Sequence, residues 1–430
     1  MAQNQTVRGV LRDKESQSVI ANAKVYFEGP ITNPPATFES TTNNKGEFVF
    51  TDVPVGRYAL AVEAKDYQVF STNNIVVTSG KEVILGYELE QIIERVGEVT
   101  IKGKGKGDKP NNDAALISAR LFTVDETDRF AGSRGDPARM ASNFAGVQGA
   151  DDSRNDIVVR GNSPQGILWR MEGIDIPNPS HFAISGSTGG PVSILNNKIL
   201  GNSDFFMSAF PAEYGNSTSG VFDLKLRNGN NNRHEFTGQF GFLGTEALAE
   251  GPMGKNSKNS YLIMGRYSSL QLFQAIGLQL GTDAVPGYYD AAFKFNFALK
   301  NGGSLSFWGM GGKSAIDIVI SDQTELTDEL YGEGDRDQYF RTQMGVTGVT
   351  YKKALNEKTF VTATGSLSYE QQISNHDYIY GRRLDSLTRK ITYDSLGHIM
   401  TYNFQTTKAS VFFSLNHNIN RFHLIKVGIN

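Results

Sequence analysis

The second half of the chain alternates apolar and polar positions with a period of two. Phe293, Phe295 and Phe297 alternate with Lys294 and Asn296, and two later stretches repeat the pattern. This period gives a β-strand one apolar face and one polar face. It predicts nine strands, near 234–242, 245–251, 259–269, 289–299, 304–317, 339–353, 358–373, 404–418 and 421–430.

The connections between these strands alternate in length from the third strand onward. Short gaps fall at 300–303, 354–357 and 419–420, and long gaps at 270–288, 318–338 and 374–403. A transmembrane β-barrel sorts its connections in this way, with short turns on one side of the membrane and long loops outside. A soluble sandwich has no reason to do so. Residues 231–430 are therefore predicted to form the N-terminal part of a transmembrane antiparallel β-barrel.

The number of strands sets an expectation about the length of the barrel. Barrels with a plugged lumen close at about 22 strands, and bacterial barrels of this kind have an even number. Nine strands are too few and odd. We therefore expect the chain to be truncated within the barrel.

The first ninety residues have a different organisation, with short β-rich runs separated by turn clusters. Turn-forming residues gather at 43–46 and 53–56, and such spacing is typical of a small β-sandwich. The runs lie at 6–12, 24–28, 37–42, 47–53, 57–64, 69–77 and 82–89. This predicts a sandwich domain over residues 1–95.

Between the sandwich and the barrel, the sequence predicts a linker and a small α/β domain. Alternating Lys and Gly over 102–107 favour a flexible tether, placed within a linker of 96–113. In the domain of 114–230, strands are predicted at 156–160 and 167–171. Helices are predicted at 137–144, capped by Asp136, and at 191–200, each with a glycine beyond its end.

Composition and charge remove several classes of function. The chain has no cysteine, which excludes disulfides and zinc–thiolate sites. Its 42 basic and 45 acidic residues give a net charge of −3, so no basic excess points to nucleic acid. Ser163 lies outside a G-x-S-x-G elbow, and the six histidines lack metal-ligand spacing. We predict neither an enzyme nor a metal or cofactor site.

Several motifs in residues 114–230 resemble the plug of TonB-dependent outer-membrane receptors. That family has a strand ending in Arg-Gly, a hydrophobic strand ending near Asp-Gly, a Tyr-Gly turn and a Gly-led strand. This sequence departs from the pattern in having Glu-Gly-Ile-Asp after the second strand. The matching positions are Arg160, Gly161, Gly173, Asp175, Tyr214, Gly215 and Gly220.

The order of the domains strengthens the resemblance. The phrase over 52–58, after 44–48, resembles the carboxypeptidase-regulatory-like domain, a transthyretin-like sandwich. Sandwich, plug and barrel in this order resemble the TonB-dependent receptors of Bacteroidetes-type bacteria. The resemblance implies a mostly β transporter in the outer membrane, with plug and sandwich on the periplasmic side. It also implies import of an extracellular nutrient, with a TonB-type transducer, outer-membrane lipid and a ligand, alone or with a surface lipoprotein, as partners.

A short segment before the tether looks like the TonB box, which the inner-membrane partner pulls. A β-branched run beside a flexible tether can add to a partner's sheet as an extra strand. The resemblance therefore implies a partner contact at Glu98, Val99, Thr100 and Ile101. The alternative is that 96–101 forms a last strand of the sandwich.

Two further alternatives stay open at this stage. Arg160 either pairs with carboxylates on the barrel wall or is an ordinary surface arginine. The whole chain, in turn, is either a transporter or a secreted or surface β-sandwich protein that acts as an adhesin or binds glycans.

Overall fold

A computed structural model describes most of the chain. The described residues are 4–14, 17–29, 37–91, 105–106, 110, 112, 118–122, 127, 130–133, 135–150, 154–184, 186–241, 244–255, 257–268, 286–299, 303–322, 333–356, 358–384, 391–420 and 423–430.

The first seven strands form a β-sandwich. Their bounds are β1 (Gln5–Asp13), β2 (Lys24–Glu28), β3 (Thr37–Thr41), β4 (Glu47–Val53), β5 (Gly56–Glu63), β6 (Phe70–Val77) and β7 (Val83–Leu89). One sheet has the order β4-β1-β7 and the other begins β3-β2-β5-β6. Phe27 lies between them, with its ring 4.6 Å from that of Tyr58 and 5.3 Å from that of Phe50. The seven predicted strands are confirmed.

Part of the predicted tether packs against this sandwich. Strand β8 (Gly105–Lys106) pairs in parallel with the edge strand β6, so that Gly105 lies opposite Phe70. The alternating Lys and Gly of the tether predict a solvated segment, yet an extended backbone can satisfy its hydrogen bonds on any open sheet edge.

The plug is built on a five-stranded sheet with the order β13-β12-β17-β16-β9. The nine described plug strands are short: β9 (Ala119–Phe122), β10 (Val147–Gly149), β11 (Ile157–Val159), β12 (Leu168–Met171), β13 (Ile174–Asp175), β14 (Ser180–His181), β15 (Val192–Ser193), β16 (Ser203–Phe206) and β17 (Val221–Leu224). Phe222 of β17 stacks on Trp169 of β12 at 4.3 Å and on Phe205 of β16 at 4.4 Å. The centre of the plug is therefore aromatic.

Helix α1 (Pro137–Ala141) begins where the sequence predicts and ends three residues earlier than the predicted 144. The Asp136 carboxylate accepts a hydrogen bond from the Ala138 amide at 2.7 Å, which caps the helix. Within the described ranges, no helix has the length and apolarity that crossing a membrane would require.

The helix predicted at 191–200 is wrong. The segment contains β15, which pairs with β14, and a 3₁₀ turn at Asn197–Ile199. Ile194, Leu195 and Leu200 are all buried. A surface helix needs one apolar and one polar face, and this segment has no such periodicity. The Pro and Gly at its two ends were therefore not sufficient to predict a helix.

The last part of the chain forms one antiparallel sheet of nine strands, each paired with the next. In order they are β18 (Glu235–Phe240), β19 (Thr245–Pro252), β20 (Ser260–Tyr267), β21 (Gly287–Ala298), β22 (Ser304–Ile318), β23 (Arg336–Asn356), β24 (Thr359–Tyr380), β27 (Ser395–Asn420) and β28 (His423–Ile429). A small hairpin, β25 (Arg383–Leu384) and β26 (Ile391–Thr392), lies between β24 and β27. The nine predicted strands are confirmed.

The polar face of this sheet is the buried one. Lys294 and Asn296 are buried against the plug, whereas Phe297 points outward and is exposed. A soluble sandwich buries its apolar face, so this inversion is typical of a barrel wall. The fold is mostly β: a sandwich, a plug and the first part of an antiparallel barrel.

β23, β24 and β27 are longer than the sequence predicts, and β23 has 21 residues where 339–353 is predicted. β24 has 22 residues and β27 has 26, and most of the predicted loop at 374–403 belongs to them. Asn375 lies opposite Thr401 within the continuous ladder. Residues 374–377 of β24 are polar on both faces, so no alternation marks the strand there, but backbone hydrogen bonds continue the pairing.

The plug and the barrel share one hydrophobic core. Trp169 and Phe222 of the plug belong to the same buried cluster as Trp308, Met310 and other residues of the inner barrel wall. The sandwich core is a separate cluster.

Candidate site between the plug and the barrel wall

A buried carboxylate of the plug holds two lysines of the barrel wall. The Glu172 side chain accepts a hydrogen bond from Lys294 at 2.9 Å and another from Lys352 at 3.2 Å. The Glu172 backbone carbonyl accepts a hydrogen bond from the Thr364 hydroxyl at 3.0 Å. Three barrel strands, β21, β23 and β24, thus converge on one plug residue.

The turn between β12 and β13 places this carboxylate. Glu172 and Gly173 both have positive φ, at 49° and 87°. Two such residues between paired strands make a type I′ hairpin, whose twist matches that of the strands. A Cβ on Gly173 would lie 2.6 Å from the Phe412 ring, so both the backbone and the barrel wall require glycine.

The charge of Glu172 is stabilised despite its burial. Burial by itself would raise the pKa of this carboxyl, but the charges and hydrogen bonds of Lys294 and Lys352 outweigh it and hold the pKa well below its usual range. Glu172 is therefore ionised and forms a buried ion pair between the plug and the barrel.

A second cluster surrounds Arg170, one strand position before this turn. The fully buried guanidinium lies 4.8 Å from the centre of the Tyr214 ring and 4.9 Å from that of Phe412, a cation–π arrangement. It also pairs with Glu213 at 3.5 Å, and Lys426 of β28 reaches the same carboxylate at 2.5 Å. Here again, opposite charges join the plug to barrel strands.

A third cluster lies where plug strand β14 meets the wall. The His181 imidazole is 2.9 Å from the Asp290 carboxylate, which also accepts a hydrogen bond from Arg266 at 2.8 Å. Burial lowers the pKa of His181, the charge of Arg266 lowers it further, and the contact with Asp290 offsets only part of this change. The ring is therefore neutral around pH 7.

The predicted plug motif comes together only in part. Gly220 packs against Val159, so that a Cβ there would lie 3.2 Å from the valine side chain. Asp175 accepts a hydrogen bond from Asn216, which follows Tyr214 and Gly215. The Tyr214 hydroxyl donates to Asp223 at 2.7 Å.

Arg160 and Gly161 lie apart from the three charged clusters. Both have positive φ, at 51° and 80°, and they form the turn after β11. The exposed Arg160 side chain donates a hydrogen bond to the Ser118 hydroxyl at 2.6 Å. Within the described residues Arg160 contacts no barrel carboxylate, so the pairing with the barrel wall is not observed and the surface alternative holds.

Two other predictions remain without a structural test. Glu98, Val99, Thr100 and Ile101 lie outside the described residues. The boundaries of the four regions, at 95, 113 and 230, also stay predictions.

Sequence reasoning missed the residues that carry the buried charges. Lys294 was visible as a polar residue between two phenylalanines, and its position on the polar face places it in the lumen. Glu172 was visible as the departure from the Asp-Gly pattern of the plug family. What the sequence lacks is any sign that these two residues meet, since 122 positions separate them.

Comparison with known proteins agrees with this architecture. Residues 6–90 match the carboxypeptidase regulatory-like domain. The TonB-dependent transporter Oar of Myxococcus xanthus is 24% identical over 286 residues, which are 65% of this chain and 25% of Oar. This chain therefore spans about a quarter of the length of that relative.

A second curated protein matches at a similar level. Glutamate-1-semialdehyde 2,1-aminomutase 2 of Staphylococcus saprophyticus is 23% identical over 341 residues, covering 75% of this chain and 70% of that protein. The fold described above, with no layer of helices among the described residues, differs from that of an enzyme built on long helices and agrees with a receptor.

Solved receptor structures show a distant likeness. The siderophore receptor PirA from Acinetobacter baumannii has a TM-score of 0.45 at 14% identity, covering 73% of this chain and 47% of PirA. The ferric-catecholate import receptor Fiu from E. coli K12 has a TM-score of 0.42 at 13% identity, covering 70% and 46%. At these scores the two likenesses carry no argument of their own. The matched domain and the similarity to Oar together support a TonB-dependent receptor that carries a carboxypeptidase regulatory-like domain.

Proposed function

We propose that this protein is an active transporter of the outer membrane that binds an extracellular nutrient and imports it into the periplasm. The observation that carries the proposal is the buried ion pair of Glu172 with Lys294 and Lys352, which holds a plug against a barrel wall. When an ion pair separates into water, hydration of the two charges offsets the lost attraction. Ion pairs therefore suit a plug that must move away from the barrel wall and return.

The proposal needs an energy source and no covalent chemistry. A TonB-type transducer of the inner membrane would pull Glu98, Val99, Thr100 and Ile101, and outer-membrane lipid would surround the exposed phenylalanines of the barrel. In this orientation the sandwich and plug face the periplasm, and the long loops face outward. The ligand binds above the plug, alone or with a surface lipoprotein, and no enzyme activity or cofactor is required.

A disulfide between plug and barrel tests whether the plug must move. The Phe182 amide of the plug donates to the Ser314 hydroxyl of β22 at 2.9 Å, so cysteines at these positions lie within bridging reach. The chain has no other cysteine. The full-length Phe182→Cys/Ser314→Cys receptor is expressed in a deletion strain, and growth on a panel of candidate nutrients is measured.

The oxidised double variant should lose uptake of the nutrient that the unmodified receptor imports, and reductant should restore it. Each single-cysteine variant is the matched control and should transport normally. Full uptake with the disulfide completely formed would contradict the proposal. An unmodified receptor that binds a ligand at the cell surface and imports none would instead support the adhesin alternative.

The segment of Glu98–Ile101 has its own test. Thr100→Pro removes a backbone donor and fixes φ, which should block strand addition to the transducer. We expect uptake to be abolished and surface binding of the ligand to be retained. Thr100→Val keeps the backbone donor and the β-branched shape, and should transport normally. Normal uptake by Thr100→Pro would exclude this segment as the partner contact.

A further inference from the structure

The sandwich is fixed to the barrel by a carboxylate that also holds the plug. Glu250 of β19 accepts hydrogen bonds from Arg227 at 2.6 and 2.8 Å and from the Asn230 amide at 3.0 Å. Its other contact is Lys81 of the sandwich, at 3.1 Å. The Glu250 side chain is only 2% exposed. One barrel residue thus ties together the sandwich, the plug and the barrel.

Two more carboxylates close the same interface. Glu82 of the sandwich pairs with Arg8 at 3.0 Å and accepts a hydrogen bond from the Asn230 side chain at 3.0 Å. Glu235 of β18 accepts from the Glu82 amide at 3.0 Å and from Arg233 at 2.8 Å. The Glu82 and Glu235 side chains are 1% and 6% exposed.

The segment 227–233, which we call the connector, runs from the plug into the barrel and lies within this interface. Asn230 is completely buried and contacts both Glu82 and Glu250. A Cβ on Gly229 would lie 2.0 Å from the Tyr261 carbonyl oxygen, so the connector is pressed against the backbone of β20. The sandwich therefore rests on a rigid support.

Every buried carboxylate of this interface has at least one cationic partner. Three nearly buried carboxylates meet four cations: Arg8, Lys81, Arg227 and Arg233. Buried ions are tolerated only in one geometry, because each partner must stay within hydrogen-bonding distance. A sandwich that moved freely on its tether would leave these groups unpaired.

The C-terminal end of the sandwich, at residues 90 and 91, is held by contacts within the sandwich. Lys14 pairs with Glu90 at 3.1 Å, and Gln91 donates a hydrogen bond to Asp13 at 2.8 Å. The next described residues, Gly105–Lys106, pair with β6 of the same sandwich. The residues that flank 92–104 on both sides therefore belong to the sandwich.

We propose that the sandwich is a fixed anchor, docked on the connector and on β18 and β19, which holds residue 91 in place while the segment after it is pulled. This inference rests on the proposed function for the pulling step. A force applied to residues 98–101 acts first on the sandwich, through residue 91 and through the pairing of Gly105–Lys106 with β6. With the sandwich fixed, β8 separates from β6 and the displacement passes to the plug, whereas a loose sandwich would be dragged along first.

Crosslinking tests the docked position in the full-length receptor in its own membrane. Lys258 of the barrel contacts Glu47 of the sandwich at 2.6 Å, so Glu47→Cys/Lys258→Cys should react with a short bifunctional thiol reagent. Glu47→Cys/Asn356→Cys is the matched control, because Asn356 lies at the end of β23, several strands away. After cleavage at a protease site inserted at 92–95, a denaturing gel shows the sandwich as a separate fragment unless it is crosslinked.

We expect the Glu47/Lys258 pair to retain the sandwich after cleavage and the Glu47/Asn356 pair to release it. Adding Arg8→Glu and Lys81→Glu to the Glu47/Lys258 pair places negative charges beside Glu82 and Glu250. These changes should abolish retention of the sandwich. Lys65→Glu, an exposed change of the same charge elsewhere on the sandwich, should leave retention unchanged. Equal crosslinking of both cysteine pairs would show a freely moving sandwich and overturn the proposal.

Uptake then tests the anchor itself. Receptors with the Glu47/Lys258 crosslink in place should import the nutrient at the normal rate, and the Arg8→Glu/Lys81→Glu receptor should lose import while it still binds ligand at the surface. Loss of import on crosslinking would mean that the sandwich must leave, which overturns the anchor. If the unmodified receptor imports nothing, the proposed function fails, and the crosslinking pattern still decides whether the sandwich is docked.

Discussion

Glu172 is bound by two lysines that differ in their exposure. The Lys294 side chain is 6% exposed, whereas that of Lys352 is 37% exposed. The same carboxylate also accepts a hydrogen bond from the Leu226 amide at 3.1 Å, and Lys294 donates to the Leu226 carbonyl at 2.6 Å. Lys294 therefore lies at the dry centre of the cluster and Lys352 at its edge.

Loss of the two lysines should have unequal effects. Lys294→Met leaves the buried Glu172 carboxylate without its best-buried cation. It should lower the free energy of unfolding by about 3–5 kcal/mol. Lys352→Met should cost about 1 kcal/mol or less, since water can replace a half-exposed partner. Thermal unfolding of the full-length protein in detergent measures both. Glu172→Gln/Lys294→Met should recover part of the loss, and equal effects of the two single changes would contradict this account.

His181 should make stability depend on pH. Its pKa is lower in the folded protein than the ordinary value of about 6.5, so folding favours the neutral ring. This contribution is complete above about pH 6.5 and is lost as the pH falls through the folded-state pKa. The unfolding midpoint should therefore decrease between about pH 7 and 5, and His181→Gln should flatten that slope. An identical slope in the variant would contradict the assignment.

Among the elements, the barrel strands were the most predictable. Alternation identified β18 to β22 to within a few residues, because each has one lipid-like face and one polar face. It failed at the outer parts of β24 and β27, where Asn375 and Thr401 pair in a stretch that is polar on both faces. It also failed at 191–200, where terminal signals outweighed the missing periodicity.

The direction of the strands can be tested by labelling. If the connector enters the barrel from the periplasm, the turn after β23 lies on the periplasmic side and the loop after β24 lies on the extracellular side. On intact cells, an impermeant thiol reagent should label Asp394→Cys and spare Asn356→Cys. Permeabilised cells are the control and should label both. Labelling of Asn356→Cys alone on intact cells would reverse the topology.

The described residues form two large hydrophobic cores, beside two small clusters in the plug and near the ends of the long barrel strands. Plug and inner barrel wall form one buried cluster, and the sandwich forms another. Periodicity predicted the sandwich and the barrel, but nothing local in the sequence indicates that the plug completes the barrel core. The same holds for the docked sandwich, since Lys81 and Glu250 are 169 positions apart.

Two cores should give two thermal transitions. Phe27 is fully buried in the sandwich core, and Phe27→Ala should remove about 3–5 kcal/mol from that domain. Calorimetry of the full-length protein should show one transition moving to lower temperature and the other unchanged. Trp308→Ala in the barrel wall is the converse control. A shift of both transitions by Phe27→Ala would indicate a single cooperative unit.

The length of the last strands sets how far the barrel wall extends beyond the membrane. At about 3.4 Å per residue the 26 residues of β27 extend for roughly 85 Å, whereas a strand needs only about 9–11 residues to cross a bilayer. In the proposed orientation, β23, β24 and β27 therefore extend beyond the outer surface of the membrane as one hydrogen-bonded sheet. Their loops then lie tens of ångströms above the lipid. Adding or removing paired residues at the outer end of these strands would change the height of the loops and leave the contacts between plug and barrel unchanged.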